Sequence, residues 1–435
     1  MKHLLLVLFT FLSIHVFAQL YFPPVSGNTW ETVPPGQLGW CTDRIDSLYK
    51  LLEDNNTKGF IILKDGKLVI EKYFGTFTPD SAWYWASAAK SLTAFLTGIA
   101  QQQHFLNIND SVSKYLGLGW TSCPPEKERL ITIKHQLTMT TGLNYLVADQ
   151  DCTEPSCLSY KNDAGSFWFY HNAPYHLIHD VIAQSSGKTY QQFTNQYLAS
   201  KTGITGLWYD HIYYSKPRSM ARFGLLMLNK GIWNGDTVLS DANYYNSMIN
   251  TSQQMNNAYG YLWWLNGKAS YKIPASLATF PGKLCPPAPD DIYMALGKND
   301  QKLYVWPSKN IVVVRMGDAA SDESQVPITF DTTLWQELNR VMCSEFTGVH
   351  ENNTGSDLTI WPNPAYNKIS FRLRKQHYFA EVSLYASNGE KVYAEKIEYP
   401  MPENEIDISR LRCGIYTLRV ISGNEVLVKR IAVVR

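Results

Sequence analysis

Residues 83–100 have the sequence WYWASAAKSLTAFLTGIA, in which an aromatic run is followed by small and apolar residues without proline. From Ser87 onwards this composition predicts a buried helix. A serine at the start of a helix lies beside backbone N–H groups that stabilise a developing negative charge. Lys90 follows one helical turn later, so its amine can accept the Ser87 proton. The stretch therefore predicts a nucleophilic serine with a lysine partner.

The Ser-x-x-Lys spacing alone is weak, because it occurs four times in the chain. Ser47 lies in a predicted amphipathic surface helix and Ser111 in a charged segment. Ser185 stands beside a Ser-Gly pair that suits the end of a helix. Only Ser87 begins a buried helix, so we expect it to be the nucleophile.

Further helices and strands are predicted on both sides of this stretch. The runs GFIIL (59–63) and KLVIEKY (67–73) flank Asp65-Gly66, a pair that favours a tight hairpin. The remaining predictions are strands at 292–297, 301–307 and 310–317, an amphipathic helix at 41–52, a final helix at 330–346, and helical segments from about 105 to 250.

The first residues have the pattern of an export signal. A basic start precedes an apolar run from Leu4 to Phe17, and the ending at Ala18 suits cleavage by signal peptidase. The alternative is a membrane anchor, but a run of about 14 residues is shorter than the roughly 20 that span a bilayer. We therefore expect residues 1–18 to be a cleaved signal peptide, with no transmembrane anchor later in the chain.

The charge balance indicates no charged macromolecular partner. Lys plus Arg (39) nearly equal Asp plus Glu (38), which argues against nucleic acid and anionic membrane surfaces. His176 and His179 have the spacing of a helical metal pair, but neither a third ligand nor a His-Glu-x-x-His motif accompanies them. Without a glycine-rich phosphate loop either, we expect no metal and no cofactor.

Seven cysteines in an exported chain favour disulfides. Cys152 and Cys157 are close enough in sequence to pair locally. Cys41 opens the predicted first helix and Cys343 lies in the predicted last one, so they could join the ends of the fold. The remaining pair would be Cys123 with Cys285, and Cys413 would stay single.

A second domain follows residues 19–349. Residues 350–357 form a polar linker, and residues 358–435 alternate apolar and polar in short runs, which predicts a small β-sandwich. Its stretches at 360–371, 382–393 and 406–420 resemble the C-terminal sorting domain of type IX secretion. That resemblance implies the secretion machinery as a partner and a secreted or cell-surface protein. A carbohydrate-binding or adhesion β-sandwich is the alternative.

Several blocks around Ser87 resemble the serine β-lactamase, penicillin-binding protein and carboxylesterase superfamily. They lie in family order, and the likeness is to the class C β-lactamase branch that includes esterases and 6-aminohexanoate-dimer hydrolases. The resemblance implies an α/β (α+β) fold, with an antiparallel sheet flanked by helices and a helical subdomain. Besides SAAK at 87–90, the matching blocks are ITIKHQLTMTTGL (131–143), YHNAPYHLIHDVIAQSSGKTY (170–190), SMARFGLLMLNKGIWNG (219–235) and YGYLWWL (259–265).

The family's second motif, Tyr-x-Asn, matches Tyr170-His171-Asn172. The match implies that Tyr170 relays the proton between nucleophile and leaving group. Asn172 would then orient the lysine or the substrate. A second match at 244–246 lies in a polar segment without the helix that should follow, so we expect it to be a decoy.

The third motif, usually Lys-Thr-Gly on a strand, is less well matched. The literal Lys201-Thr202-Gly203 follows a predicted helix, and its glycine suits a helix end. By position the counterpart is 298–301, where Lys298 would hold a substrate carboxylate and the Gln301 N–H would join that of Ser87 in an oxyanion hole. Asp300 replaces the glycine expected there, and could pair with Lys298 or narrow the pocket.

Together these motifs imply a secreted serine hydrolase that cleaves an ester or amide bond of a small-molecule or peptide-like substrate through an acyl-enzyme on Ser87. Lys90 and Tyr170 would transfer the protons. One alternative is a true β-lactamase or D-Ala peptidase, which the missing Lys-Thr-Gly disfavours. Another is a non-catalytic binding protein on the same scaffold, which would not need Ser87, Lys90 and Tyr170 together.

Overall fold

The computed structural model describes residues 20–320, 328–346, 358–373, 379–386, 390–398, 403–422 and 425–434. The chain divides between Phe346 and Thr347 into two compact units. The predicted signal peptide (1–18) and linker (350–357) lie outside the described residues. In the described part of the chain, every helix is too short or too polar to cross a bilayer.

A six-stranded antiparallel sheet forms the centre of the first unit. The predicted hairpin is confirmed: Asp65 and Gly66 both have positive φ, the conformation that an Asp-Gly turn favours. All residues of the strands 293–297, 301–306 and 311–317 are buried. In spatial order the strands are Lys67–Tyr73, Thr57–Lys64, Ile311–Gly317, Gln301–Trp306, Tyr293–Gly297 and Trp264–Leu265.

Helices pack against this sheet, as the sequence predicts. Pro217–Leu228 lies on three of the central strands, and a side chain at its Gly224 would meet Val312 at 2.4 Å. The predicted first helix runs over Ile45–Asp54 after a 3₁₀ turn, and the predicted last helix is divided into Thr329–Val341 and Cys343–Phe346. The helix after Ser87, Ala89–Gln102, is buried from Ala89 to Ala100. The α+β architecture with a helical subdomain is therefore confirmed.

The helical subdomain contains the helices Ser113–Leu116, Pro125–Glu128, Ile133–Leu137, Asn172–Ser186, Tyr190–Thr194, Ser200–Thr202 and Ala242–Met248, with a π-helical turn at Asn195–Ala199. The 3₁₀ turns are Pro35–Leu38, Thr42–Arg44, Ala86–Ala88, Pro155–Cys157, Lys298–Asp300 and Pro307–Lys309. Short strands complete the unit at Trp83–Tyr84, Gly206–Tyr209, Ile212–Ser215, Ile232–Trp233, Asp236–Thr237, Ser270–Tyr271 and Phe280–Pro281.

Two of the three predicted disulfides are present. Cys41 bonds Cys343, and Cys152 bonds Cys157. The prediction that Cys123 pairs with Cys285 is wrong, because both are buried free thiols. Cys123 lies against the carbonyl of Leu158 in the helical subdomain, whereas the Cys285 N–H bonds Asn266.

The second unit consists of two antiparallel sheets that share one apolar core. Alternate residues such as Ile369 and Phe371, or Val382 and Leu384, face that core, which confirms the predicted β-sandwich pattern. One sheet contains Leu358–Trp361, Lys368–Leu373 and Asn404–Asp407, and the other contains Lys391–Glu398, Phe379–Ala386, Gly414–Ser422 and Glu425–Val433.

Candidate active site

Ser87 lies in the 3₁₀ turn Ala86–Ala88, immediately before the buried helix. The turn is held by Trp85, whose backbone N–H donates to Tyr213 O at 2.8 Å and whose indole donates to Ser215 Oγ at 2.8 Å. Ala86 has φ of 47°, a left-handed conformation that alanine rarely adopts. Such a conformation persists only where the surrounding structure enforces it, and it is common at functional sites.

Lys90 points at the hydroxyl of Ser87, with 3.1 Å between Nζ and Oγ. The lysine is 4% exposed, and its amine lies over the rings of Tyr170 and Tyr175 at 5.0 and 4.5 Å. Burial lowers the pKa of Lys90 to about 7, although the charge of Asp151 raises it in part. A large share of this amine is therefore neutral near neutral pH and able to accept a proton.

Tyr170 and Asn172 stand at the start of the helix Asn172–Ser186, beside the same hydroxyl. The Tyr170 ring stacks on Trp264 with the centroids 5.8 Å apart. Burial raises the pKa of Tyr170, and the neighbouring Ser87 side chain opposes that rise. The phenol is therefore protonated near neutral pH. Asn172 Oδ1 is buried without a hydrogen-bond partner among the described residues.

The end of the strand Tyr293–Gly297 passes directly against the Ser87 turn. A side chain on Gly297 would lie 2.4 Å from Trp85 O and 3.0 Å from Ala88 N. Only glycine permits this approach. Lys298 follows at the strand end, exposed, and lines the space in front of Ser87.

Two residues of the third motif lie elsewhere than the sequence suggested. Gln301 is fully buried, with Nε2 donating to Asn299 O at 2.9 Å and Gly317 O at 2.6 Å, so it does not line the space around Ser87. Asp300 does not pair with Lys298: its carboxylate lies 3.1 Å from Lys302 Nζ. It therefore does not narrow the pocket, and Gly297 provides the close approach expected of a glycine.

Two clefts meet at Ser87, and Asn172 and Lys298 line both of them. We call the first, of about 290 Å³, the aromatic cleft; it is also lined by Gln150, Phe169, Tyr170, Trp264, Pro274, Ala275 and Leu296. We call the second, of about 490 Å³, the acidic cleft; it is also lined by Ala86, Lys90, Asp149, Asp151, Cys152, Thr153, Glu154, Tyr175, His176, Asp210, His211 and Ile212.

The acidic residues of this second cleft and Tyr175 were not predicted from the sequence. One signal for them was present in the sequence, because three acids and two cysteines lie close together in DQDCTEPSC (149–157). A short disulfide-closed loop with several charges is typical of a loop that carries function.

The decoy motifs have structural roles. Gly203 of Lys201-Thr202-Gly203 ends a helix with φ of 70°. The Tyr244 and Tyr245 hydroxyls are buried and donate to the carbonyls of Ala94 and Met227. Within the described residues, no group of three or more His, Cys, Asp or Glu side chains is arranged to hold a metal ion.

The comparison with known families agrees with this architecture. The model of the family described as Beta-lactamase matches residues 59–325, more than half of the 435-residue chain. The chain belongs to the β-lactamase family. Residues 359–434 of this β-lactamase family member match the model described as Secretion system C-terminal sorting domain. The second unit is therefore a sorting domain, and the protein is exported to the cell surface or released.

Individual relatives of this β-lactamase family member include hydrolases. The teichoic acid D-alanine hydrolase of Staphylococcus aureus is 27% identical over 176 residues, 37% of this chain and 44% of that protein. A Bacillus anthracis structure assigned as a 6-aminohexanoate-dimer hydrolase matches with a TM-score of 0.56 at 16% identity, covering 75% of this chain and 90% of that one. A family VIII carboxylesterase matches with a TM-score of 0.53 at 13% identity, covering 72% and 99%. At these identities the two structures establish the fold.

Proposed function

We propose that this β-lactamase family member is an exported serine hydrolase that cleaves an ester or amide bond through an acyl-enzyme on Ser87. The observation that carries the proposal is the 3.1 Å contact between Lys90 Nζ and Ser87 Oγ, made by a lysine that is 4% exposed. A neutral amine at this distance can accept the hydroxyl proton, which a serine must lose to become a nucleophile. The name of the Staphylococcus aureus relative, a hydrolase, agrees with this activity.

In the acylation step, Ser87 Oγ attacks the substrate carbonyl carbon while Lys90 takes the hydroxyl proton. The Tyr170 phenol, which lines the aromatic cleft with Ser87, donates its proton to the leaving group as the scissile bond breaks, and regains one from Lys90. A water molecule then attacks the ester of Ser87. Its proton returns through the same two side chains, and Ser87 recovers its hydroxyl as the acid is released.

The oxyanion would be held by two backbone N–H groups. One belongs to Ser87, in the turn before the buried helix. For the second we propose Lys298 instead of Gln301, because Gly297 lies against the Ser87 turn and Lys298 follows it into both clefts. The Lys298 ammonium, exposed at the mouth of these clefts, can contact an anionic part of the substrate.

The test is intact-mass analysis of the full chain after incubation with a fluorophosphonate and, separately, with a penicillin. We expect one fluorophosphonate adduct on the wild type and none on Ser87→Ala. The matched control is Ser47→Ala, which removes the exposed serine of another Ser-x-x-Lys match and should leave labelling unchanged.

A penicillin adduct that survives in Ser47→Ala and disappears in Ser87→Ala would assign lactam chemistry to the same serine. An adduct that persists in Ser87→Ala would place the nucleophile elsewhere. The absence of any adduct on the wild type would favour a binding protein on this scaffold over an enzyme.

A further inference from the structure

The turn that follows Gly297 has a backbone conformation that its residues adopt only at a cost in free energy. Asn299 has φ of 58° and ψ of 35°, and Asp300 has φ of 57°. Glycine takes such a conformation freely, whereas residues with a Cβ do not. They keep it only where their surroundings enforce it, and such residues are concentrated at functional sites. The contacts of this turn therefore bear on the Lys298 N–H, which immediately precedes it.

On the sheet side of the turn, the Arg315 guanidinium bonds the carbonyls of both residues. Arg315 is fully buried, and its Nη1 donates to Asn299 O at 3.1 Å and to Asp300 O at 2.8 Å. The other three bonds of the guanidinium go to Thr57 Oγ1, Asn55 O and Asp318 O. A planar guanidinium with all five donors engaged is a rigid support. Arg315 therefore fixes the backbone of the turn from the interior.

The Asp300 carboxylate adds a second support on the same side. Besides its 3.1 Å contact with Lys302 Nζ, it accepts the Ala320 N–H at 3.0 Å. Lys302 is the cross-strand partner of Arg315, is fully buried, and forms an ion pair with the buried Asp331. The carboxylate that stands where a glycine was expected therefore attaches the turn to the interior of the domain.

A hydrogen bond between two side chains joins the turn to the segment that carries Ser87. Asn299 Nδ2 donates to Tyr84 Oη at 2.7 Å, and Tyr84 lies three residues before Ser87. The backbone of Tyr84 is held in turn, because the strand Trp83–Tyr84 pairs with the strand Ile212–Ser215. The two N–H groups proposed for the oxyanion hole therefore belong to segments that the Asn299 side chain connects.

We propose that Asn299 is a positioning residue, which holds the Lys298 N–H at the distance from Ser87 that the oxyanion requires. Its carbonyl is bonded to Arg315 and its side-chain amide to Tyr84, so the chain is fixed on two sides directly after Lys298. The proposal rests on the serine hydrolase function above and deepens it. An oxyanion hole needs both donors about 3 Å from the oxyanion, and a displacement of about 1 Å can lower the rate about a hundredfold.

The first test is Tyr84→Phe, which removes the acceptor of the Asn299 amide and keeps the aromatic ring. We expect the rate of fluorophosphonate labelling to fall about tenfold, less than for the loss of a whole oxyanion donor, because a displaced N–H still contributes. The inflection of the pH profile should stay near the pKa of Lys90, about 7, because that amine keeps its surroundings. The matched control is Tyr209→Phe, which changes an exposed tyrosine outside both clefts and should leave the rate unchanged.

Steady-state hydrolysis separates positioning from substrate binding. With 4-nitrophenyl acetate as the probe, Tyr84→Phe should lower kcat about tenfold and leave KM unchanged within about twofold, because an oxyanion donor acts in the transition states of both acylation and deacylation. A raised KM with an unchanged kcat would assign this contact to substrate binding and overturn the proposal.

A double-mutant cycle tests the pairing of Asn299 with Tyr84. Asn299→Gly removes the side-chain amide but accepts positive φ, so it separates the hydrogen bond from the backbone strain. We expect this variant to label about tenfold more slowly than the wild type. The double variant Tyr84→Phe/Asn299→Gly should label no more slowly than either single variant, because both changes remove the same bond. Losses that multiply to about a hundredfold would show that the two side chains act independently, which contradicts the proposal.

Hydrogen exchange followed by mass spectrometry tests the turn without catalysis. A peptide that covers residues 297–301 should exchange about fivefold faster in Tyr84→Phe than in the wild type, because one hydrogen bond that opposes opening is lost, and should be unchanged in Tyr209→Phe. Unchanged exchange in Tyr84→Phe would overturn the proposal. Faster exchange with an unchanged labelling rate would also overturn it, because the bond would then be structural only. If the wild type takes no label, the proposed function is contradicted, and faster exchange would still support Asn299 as the residue that holds the turn.

Discussion

Acylation of Ser87 should follow the titration of Lys90, because the amine can accept the hydroxyl proton only when it is neutral. Burial places the pKa of Lys90 near 7. Below that value each unit of pH lowers the neutral fraction about tenfold, so the rate at pH 5 should be about one-hundredth of its plateau above pH 8. Asp151 raises the pKa of Lys90, and Asp151→Asn should therefore move the inflection to lower pH.

The assay is the second-order rate constant of fluorophosphonate labelling, followed by intact mass between pH 5 and pH 9. This reagent has no titratable group in that range, so the profile reports the protein. Asp236→Asn is the control and should leave the inflection in place, because Asp236 lies outside both clefts. A labelling rate that is flat across the range, or an inflection above pH 9 in the wild type, would refute the role of Lys90 as the base.

Three further predictions follow from the packing. Unfolded Lys90 binds its proton up to about pH 10 and the folded residue only to about 7, so wild-type stability should rise across that window. Lys90→Met should abolish this rise and labelling, and it should gain up to about 5 kcal/mol at pH 6 in urea unfolding, at about 1.4 kcal/mol for each unit of the lowered pKa. The Cys41–Cys343 disulfide closes 302 residues, so Cys41→Ser/Cys343→Ser should lose about 4 kcal/mol in guanidinium unfolding, and an unchanged midpoint would contradict this. Gly297→Ala places a methyl 2.4 Å from a backbone oxygen of the Ser87 turn, so it should slow labelling of Ser87 at least about tenfold. The control Gly36→Ala, whose added methyl has its nearest neighbour at 3.8 Å, should leave the labelling rate unchanged. Equal labelling rates in the two variants would count against the close approach of Gly297.

Elements specified by local chemistry were predictable from the sequence. Asp65 and Gly66 favour positive φ, so the hairpin follows from two residues and the strands on either side. Gly203 ends its helix in the left-handed conformation, as its position after a helical run suggests. The 3₁₀ turn before the Ser87 helix was not predictable. Alanine disfavours the φ of 47° found at Ala86, and tertiary contacts such as the hydrogen bond from Trp85 to Ser215 hold the turn in place.

The chemistry of the site was easier to predict than its register. Ser87 lies in the 3₁₀ turn that leads directly into the helix of Lys90, three residues away, so their contact depends mainly on local geometry. The predicted role of Gln301 in the oxyanion hole depended on which residue of the hairpin faces Ser87. Asn299 and Asp300 both take positive φ, which brings Gln301 opposite Gly297 in the ladder and buries it. Asn and Asp are residue types that accept positive φ, so the sequence allows this turn, but it does not fix which residues pair across the hairpin.

The positions of the acidic residues depend on contacts between segments that are far apart in the sequence. The acids at 149–154 are visible as charges in the sequence, but two bonds determine where they point: the Cys152–Cys157 disulfide and the hydrogen bond from Ala173 to Gln150. Asp210 joins them from a strand connection that follows the Tyr-x-Asn helix. Lys90 belongs to the buried scaffold, and the carboxylates of the acidic cleft belong to surface loops. Changes in the loop 149–157 should therefore alter which ester is cleaved while the base and nucleophile keep their 3.1 Å contact.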